Sequence, residues 1–144
     1  MSEEWEFKKR MEDMTPEELK ERVERAWNWT MPKLTPVPFV GEITQEVTYK
    51  YPELTARCPV TGIQDLYTVT ITFVPDKWVP ELKTLKLYFM AFRDLPISHE
   101  HLQAKIYKEF KEQIEPEWLQ VDLSVAVRGG IKTDIVYNSD SEEE

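Results

Sequence analysis

The chain has 144 residues, of which 41% are hydrophobic and 31% charged, and its formal net charge is −9. This composition is typical of one globular domain that is large enough to bury a core. An acidic chain repels phosphate backbones, which argues against nucleic acid as a direct partner. No apolar run approaches the ~20 residues that cross a bilayer, so we expect no membrane partner.

The residue types that bind metals or form disulfides are scarce. Cys58 is the only cysteine, and His99 and His101 are the only histidines. A single cysteine cannot form an internal disulfide, which fits a reducing compartment, and two histidines leave few ligands for a metal. The acidic first residues contain no apolar signal core. The sequence therefore predicts a cytoplasmic protein without a metal site.

The first 41 residues are predicted to form one helix and a proline-rich connector. Residues 1–14 are mostly charged, and their few apolar side chains could dock on the domain, or the segment could fray. The run Thr15-Pro16-Glu17-Glu18 has the cap, the proline and the acid that begin a helix, which we expect at 15–28. The prolines within 30–41 predict an extended connector.

The remaining chain shows strand and helix periodicity in turn. Strands are predicted at 42–50, 66–74, 118–127 and 131–137, and helices at 81–93 and 98–114. This order predicts an α+β domain over 42–137, in which two helices cover one face of an antiparallel sheet. The exposed edge strands of such a sheet need partners. The acidic residues 138–144 carry no apolar side chain, and we expect them to be disordered.

The cysteine lies in a turn-rich stretch between the first two predicted strands. Pro59 and Gly62 follow Cys58 closely and favour a turn. Arg57 precedes the cysteine, and Asp65 comes seven residues after it. A thiolate is the useful nucleophile, a neighbouring cation favours it, and a carboxylate brought back by the turn could give or take a proton. A buried, inert cysteine and a turn-capping aspartate are the alternatives.

Three other places combine charge with a structural signal. Lys83 and Lys86 share a helix face, where they could hold phosphates or simply face solvent. His99 and Glu100 begin a helix, where acids are favoured in any case. Arg128 precedes two glycines, which predict a tight turn and would let backbone approach a ligand. No Gly-x-Gly-x-x-Gly follows a strand, so a Rossmann cofactor site is not predicted.

Four ordered segments resemble those of one enzyme family. They are Glu53-Leu54-Thr55 with Cys58-Pro59, Thr61-Gly62 and Asp65; Glu81-Leu82-Lys83-Thr84-Leu85-Lys86-Leu87-Tyr88; His99-Glu100; and Arg128-Gly129-Gly130. In their order and spacing over residues 53–137 they resemble the QueF family, the NADPH-dependent 7-cyano-7-deazaguanine reductases. The family usually reads Thr-Gly-Gln-Pro-Asp-Phe after the cysteine, where this chain reads Thr61-Gly62-Ile63-Gln64-Asp65-Leu66. The spacing from cysteine to aspartate is the same.

The resemblance implies a fold and an assembly. Proteins of this family have the tunnelling fold, or T-fold, whose sheets close into a barrel when subunits assemble in a ring. The implied assembly is therefore a homo-oligomer, either a pentamer or two stacked pentamers. Its active sites would lie between subunits.

The resemblance also implies a role for each site residue. Cys58 would attack the nitrile carbon of a small deazapurine to give a covalent thioimide, and Asp65 would supply the proton. A carboxylate with two acceptor oxygens suits recognition of the N–H groups of the purine-like ring. The implied substrate-binding residues are Pro80, Glu81, Leu82, His99 and Glu100. The implied residues for the NADPH cofactor are Lys83, Lys86, Arg128 and Gly129.

Two other functions stay open. One is an amidinotransferase like the archaeal proteins that resemble these reductases and use the same cysteine on a nitrile already in tRNA. Those proteins lack the lysine-bearing motif, whereas Lys83 and Lys86 are present here. The other is a non-catalytic T-fold protein that binds a purine or a pterin, against which the joint presence of Cys58, Asp65 and Glu100 argues. Consumption of NADPH separates the reductase from both.

Overall fold

The computed structural model describes residues 5–8 and 10–143. In chain order its helices and strands are α1 (Pro16–Trp27), β1 (Pro36–Pro38), β2 (Val47–Arg57), β3 (Gln64–Val74), β4 (Trp78–Pro80), α2 (Leu82–Met90), α3 (His99–Ile114), β5 (Trp118–Arg128) and β6 (Ile131–Asn138). Short 3-10 helices cover Met11–Asp13, Ala91–Asp94 and Ser139–Glu143. Within the described ranges, no helix is both long and apolar enough to cross a membrane.

The four long strands form one antiparallel sheet in the order β2-β3-β5-β6. Successive residues of a strand point to opposite faces, so Val69, Leu123 and Ile135 lie side by side on one face. Helix α3 packs there, and the ring of Phe110 meets that of Phe73 with centroids 5.2 Å apart. The core therefore lies between the sheet and the two helices α2 and α3. The predicted α+β architecture is confirmed.

The opposite face of the sheet is largely polar, and both sheet edges are open. Thr68, Ser124 and Asp134 lie in one row across β3, β5 and β6. In the described part of the chain, the outer edges of β2 and β6 pair with no further strand, apart from one bridge between Arg57 and Pro96. A sheet with two free edges can continue into a neighbouring copy of the chain.

The first long strand differs from the predicted 42–50. It covers Val47–Arg57, because its pairing with β3 continues through a bulge between Tyr51 and Leu54. Pro52 lies in this bulge, where a residue without an N–H costs no ladder hydrogen bond. The first five residues of the predicted strand stay outside the sheet, since alternation alone does not show where a partner strand ends.

The predicted helices are present, with changes at their ends. Thr15 caps α1, and its hydroxyl oxygen accepts a backbone N–H of the first turn at 3.1 Å. The predicted helix 81–93 divides into α2 and the 3-10 turn Ala91–Asp94, because Pro96 excludes the helical conformation from the residue before it. The connector 30–41 contains β1, which pairs with β4.

The acidic tail, for which the sequence predicts disorder, is ordered as far as residue 143. Asn138 ends β6, and a 3-10 helix follows it. The hydroxyl of Ser139 accepts the Leu119 N–H at 2.9 Å, and Lys111 pairs with Glu142 at 2.6 Å. Composition does not predict these bonds, because their partners lie about 20–30 positions earlier in the chain.

Replacing Ser139 with alanine tests the anchoring of the tail. The hydroxyl accepts from the N–H of Leu119 and donates to its carbonyl, so both groups lose a partner. We expect the free energy of unfolding to fall by about 1–2 kcal/mol, measured by urea unfolding. Ser141→Ala, at an exposed position of the same turn, is the matched control and should stay within ~0.5 kcal/mol of wild type. Equal stabilities of the two variants would contradict the prediction.

Candidate active site

The loop that carries Cys58 is the hairpin connection between β2 and β3. The last pair of the two strands joins Arg57 and Gln64. The Cys58 N–H donates to the Ile63 carbonyl at 2.9 Å, and the Gly62 N–H donates to the Cys58 carbonyl at 2.9 Å. Gly62 has a φ of 77°, a left-handed conformation that favours glycine. The predicted turn is present, and it holds the cysteine at the first position of the loop.

The sulfur and the neighbouring Arg57 each have hydrogen-bond partners in the structure. Cys58 is half-buried, and the Thr61 N–H donates to its Sγ at 3.5 Å. The guanidinium of Arg57 donates to the Gly62 carbonyl at 3.1 Å and lies 3.5 Å from the Asp94 carboxylate. The Arg57 charge therefore stabilises the shape of the loop through these two bonds.

Asp65 and Arg128 form an ion pair beside this loop. Asp65 is the second residue of β3, and its side chain is 7% exposed. Arg128 ends β5, and its Nε lies 3.3 Å from the Asp65 Oδ1. The same guanidinium donates to the Gln64 carbonyl. A buried carboxylate needs a compensating charge, and Arg128 supplies it. Arg128, which is predicted to bind the cofactor, thus contacts Asp65, which is predicted to transfer the proton.

A buried tyrosine joins the sheet to the start of α3. Tyr67 lies two residues after Asp65, so its side chain is on the same face of β3. Its hydroxyl is 2.8 Å from the Nδ1 of His99, and the two rings meet edge to face at 5.4 Å. His99 begins α3, and Glu100 follows in the first turn. The segment before α3 hydrogen-bonds the backbone at the end of β2, which holds this turn near the cysteine loop.

The charges that act on Tyr67 show which site residues cluster. Burial raises the pKa of the Tyr67 hydroxyl most, followed by the negative charges of Asp65 and Cys58. The positive charge of Arg128 lowers this pKa, whereas the negative charge of Glu100 raises it. Coulomb energies decline with distance, so these four groups are close enough to Tyr67 for their charges to act on its hydroxyl.

The predicted pocket residues Pro80, Glu81 and Leu82 lie at the other end of the protomer. Pro80 ends β4, and Glu81 and Leu82 follow it. The chain reaches this strand only after β3 has run 11 residues, or about 35 Å, away from the cysteine loop. There Leu34, beside β1, donates to the side chain of Gln113 in the last turn of α3. A single protomer does not bring these residues to the cysteine, and their role in the pocket stays a prediction.

Glu81 has a structural task within the protomer. It is the N-cap of α2, and its carboxylate accepts the N–H groups of Lys83 at 2.6 Å and Thr84 at 3.1 Å. The sequence analysis did not predict this cap, because Ser, Thr, Asp and Asn are the usual capping residues. Leu82, the first residue of the helix, is 60% exposed.

The residues predicted for the cofactor offer exposed cations and open space. Lys83 and Lys86 are exposed on α2, and neither side chain has an ion pair with another described residue. Gly129 and Gly130 form the β5–β6 turn with φ of 62° and 83°, and no atom lies within 4 Å of where a Cβ would stand. Such groups fit an anionic cofactor. Among the described residues, no group of three His, Cys, Asp or Glu side chains could hold a metal ion.

Sequence reasoning missed Tyr67 and assigned no role to Leu66. Tyr67 was interpreted only as a strand residue, although a buried tyrosine needs a partner for its hydroxyl. Leu66 stands where the family has phenylalanine, is 56% exposed, and points to the face opposite to Asp65. It lines a surface groove with Arg57 and Gln64, outside the cluster around Tyr67.

Comparison with known proteins identifies the family. A family model described as QueF-like protein matches residues 64–144, more than half of the chain. The chain belongs to the QueF-like family. The matched range contains Asp65, the start of α3 and Arg128, while Cys58 lies just before it.

Curated relatives named NADPH-dependent 7-cyano-7-deazaguanine reductase are similar in sequence. The one from Prochlorococcus marinus is 39% identical over 88 residues, which cover 61% of this chain and 63% of the relative. The one from Anaeromyxobacter is 42% identical over 88 residues, which cover 61% of this chain and 72% of the relative. The chain spans about three fifths of the length of the first curated relatives that it matches.

A solved structure shares the fold. The structure described as the archaeosine synthase QueF-Like in the apo form aligns with a TM-score of 0.58 at 19% identity. The alignment covers 67% of this chain and 92% of that chain. At this identity the likeness concerns the fold alone, and it confirms the expected T-fold.

Alkaline pH tests the environment of Tyr67. The folded protein holds this phenol proton more tightly than the unfolded chain, because burial raises its pKa. The resulting stabilisation is complete below about pH 10 and is lost as the pH rises further. We expect Tyr67→Phe to cost about 1 kcal/mol at neutral pH, but to lose less additional stability than wild type between about pH 9 and pH 11.

Urea midpoints at each pH measure this difference. Tyr137→Phe, which removes a hydroxyl from a more exposed ring, is the matched control and should follow wild type. Parallel curves for wild type and Tyr67→Phe would contradict the assignment.

Proposed function

We propose that this chain reduces the nitrile of 7-cyano-7-deazaguanine to the primary amine of 7-aminomethyl-7-deazaguanine with NADPH, in the cytoplasm and as a step of queuosine biosynthesis. The observation that carries the proposal is that backbone bonds between Arg57 and residues 95–97 and the Tyr67–His99 contact hold the Cys58 hairpin, with the buried Asp65, next to the helix start that carries Glu100. The names of the reductase relatives support the same reaction. The direct substrate is a small deazapurine and not nucleic acid, since the chain has a net charge of −9.

Covalent addition begins the reaction. The thiolate of Cys58 adds to the electrophilic nitrile carbon, forming a C–S bond as one π bond of the nitrile breaks. Asp65 takes the thiol proton and passes it to the nitrile nitrogen, so that a neutral thioimide results. The ion pair with Arg128 keeps the carboxylate in position during this transfer. NADPH, when bound, supplies the two hydrides that conversion of a nitrile to a primary amine requires.

Recognition of the deazapurine falls to the first turn of α3. The exposed Glu100 carboxylate offers two oxygens to the N–H groups of the ring. His99 completes the pair, and its hydrogen bond with Tyr67 fixes the orientation of the imidazole. The amino end of a helix is also a favourable place for a carboxylate.

The cofactor contacts come from α2 and the β5–β6 turn. Lys83 and Lys86 would hold phosphate groups, and Gly129 would let the cofactor approach the backbone. Arg128 would connect the two functions, because its half-exposed guanidinium contacts Asp65 on one side and solvent on the other.

The active site is completed between copies of the chain in this proposal. The Pro80–Leu82 segment follows the far end of β3, whose 11 residues span about 35 Å from the cysteine loop, so it would serve the site of a neighbour. The open edges of β2 and β6 could pair with the edges of neighbouring copies. Such edge-to-edge pairing would join the sheets of the subunits into a closed barrel. The expected assembly is a homo-oligomeric ring, a pentamer or two stacked pentamers.

Cofactor consumption and covalent labelling test the function together. With 7-cyano-7-deazaguanine, we expect absorbance of the reduced nicotinamide to fall by two NADPH per substrate. Without NADPH, intact mass spectrometry should show one substrate added to wild type and none to Cys58→Ala, whose circular dichroism should match wild type. An adduct on Cys58→Ala would refute the nucleophile assignment. An adduct on wild type without NADPH oxidation would favour the amidinotransferase, and neither signal would favour a binding protein.

A double lysine variant tests the cofactor contacts. Lys83→Ala with Lys86→Ala should raise the KM for NADPH at least tenfold, because each lost phosphate contact is worth about 1–3 kcal/mol. The rate of adduct formation without NADPH should stay near wild type. Lys33→Ala with Lys77→Ala removes the same charge elsewhere and is the control. An equal loss of adduct formation and NADPH binding would mean that the α2 lysines serve the fold.

A further inference from the structure

The amino-terminal segment lies directly on the cysteine loop. The Trp5 Nε1 donates to the Pro59 carbonyl at 3.1 Å, and the Lys8 N–H donates to the Val60 carbonyl at 2.6 Å. Pro59 and Val60 are the two residues that follow Cys58 in the chain. These contacts reach across more than 50 positions, and they fall on the loop carbonyls rather than on the sheet.

The same segment also covers the far side of the loop. The ring of Phe7 packs on Gly62, where an added Cβ would stand 2.9 Å from the ring. Gly62 also has a positive φ, so both its backbone conformation and the Phe7 ring favour glycine at this position. The amino-terminal segment therefore contacts both ends of the loop that begins at Cys58.

Arg22 connects this segment to α1. Its side chain is on the helix face that packs inward and is 7% exposed, which is unusual for a cation. Its Nη1 donates to the Pro59 carbonyl at 2.7 Å, and its Nη2 donates to the Glu6 carbonyl. Its guanidinium also lies 5.3 Å from the centre of the Trp5 ring. One buried cation thus joins the helix, the amino-terminal segment and the cysteine loop.

These bonds supply donors to carbonyl groups of the loop. The bonds described within the loop and from Arg57 satisfy the carbonyls of Cys58, Gly62 and Ile63 but not those of Pro59 and Val60. A carbonyl left without a donor would be free to turn. The Pro59 carbonyl receives two donors, Trp5 and Arg22, one of them charged and therefore stronger than a neutral donor. Because Pro59 directly follows Cys58, fixing the Pro59–Val60 peptide restrains the backbone from which the thiol projects.

We infer that Arg22, together with residues 5–8, is a positioning device for Cys58: it holds the Pro59 carbonyl so that the thiol keeps its attacking geometry. This inference rests on the proposed function for its catalytic consequence, but not for its structural one. Arg22 contacts neither Asp65 nor the start of α3 through any bond of the described residues, so it acts through the loop. A displacement of about 1 Å at a nucleophile can cost a hundredfold in rate.

Two kinetic readouts on the full-length chain test the inference. In Arg22→Gln we expect kcat for NADPH oxidation to fall at least tenfold, while the KM for 7-cyano-7-deazaguanine changes less than threefold. The split is expected because the residues proposed to bind the ring, Glu100 and His99, are not touched. Arg22→Lys keeps a donor and should recover part of the rate. Lys20→Gln, at an exposed site of the same helix, is the matched control and should equal wild type.

Alkylation of Cys58 separates this inference from the reductase proposal. Cys58 is the only cysteine, so the rate of its reaction with iodoacetamide reports on the loop whether or not the protein reduces nitriles. A loop released from Arg22 exposes the half-buried thiol, and we expect alkylation of Arg22→Gln to be at least three times faster than that of wild type or Lys20→Gln. Trp5→Phe, which loses one donor and keeps a ring, should show a smaller increase in the same direction.

The outcomes are decisive in both directions. Slower turnover with faster alkylation supports the positioning role, and faster alkylation in a protein without reductase activity supports it while refuting the proposed function. Unchanged alkylation in both Arg22→Gln and Trp5→Phe would overturn it. If Arg22→Gln does not fold, Trp5→Phe alone decides between the two results.

Discussion

The hydrogen bond between Tyr67 and His99 joins the sheet to α3 at the place where we propose the active site. The phenol comes from the sheet face that also carries Asp65, and the imidazole begins the helix that carries Glu100. Because Tyr67 is buried, the loss of His99 would leave its hydroxyl unpaired. Together with the backbone bonds between Arg57 and residues 95–97, this bond holds the cysteine hairpin beside the start of α3.

Charge compensation is local, although the chain as a whole is acidic. The buried carboxylate of Asp65 is paired with Arg128, and the loop after Cys58 is held by Arg22 and Arg57 through carbonyl oxygens. Arginine suits these tasks because its planar group donates in several directions at once. The net charge of −9 is an average over the whole chain, while three arginines contact the cysteine loop and Asp65.

Local periodicity predicted the elements whose own residues determine them. The apolar stripe of α3 and the alternation of β3 and β5 gave bounds within two residues of the structure. The resemblance pointed to Asp65 and Glu100 before any geometry was known. The anchoring of Ser139 and the burial of Arg22 were not predictable, since each depends on a partner 20 or more positions away. The prediction of a strand at 42–50 was wrong for the same reason. Pairing with β3, and not the alternation of residues, determines where β2 begins.

A crystal structure of the protein mixed with 7-cyano-7-deazaguanine, without NADPH, tests the central claim most directly. The account predicts continuous electron density from the Cys58 sulfur to the former nitrile carbon, with the Glu100 carboxylate against the ring. It also predicts Pro80–Leu82 of a neighbouring copy beside the same ligand. A ligand held away from Cys58, or bound without a bond to its sulfur, would contradict the account.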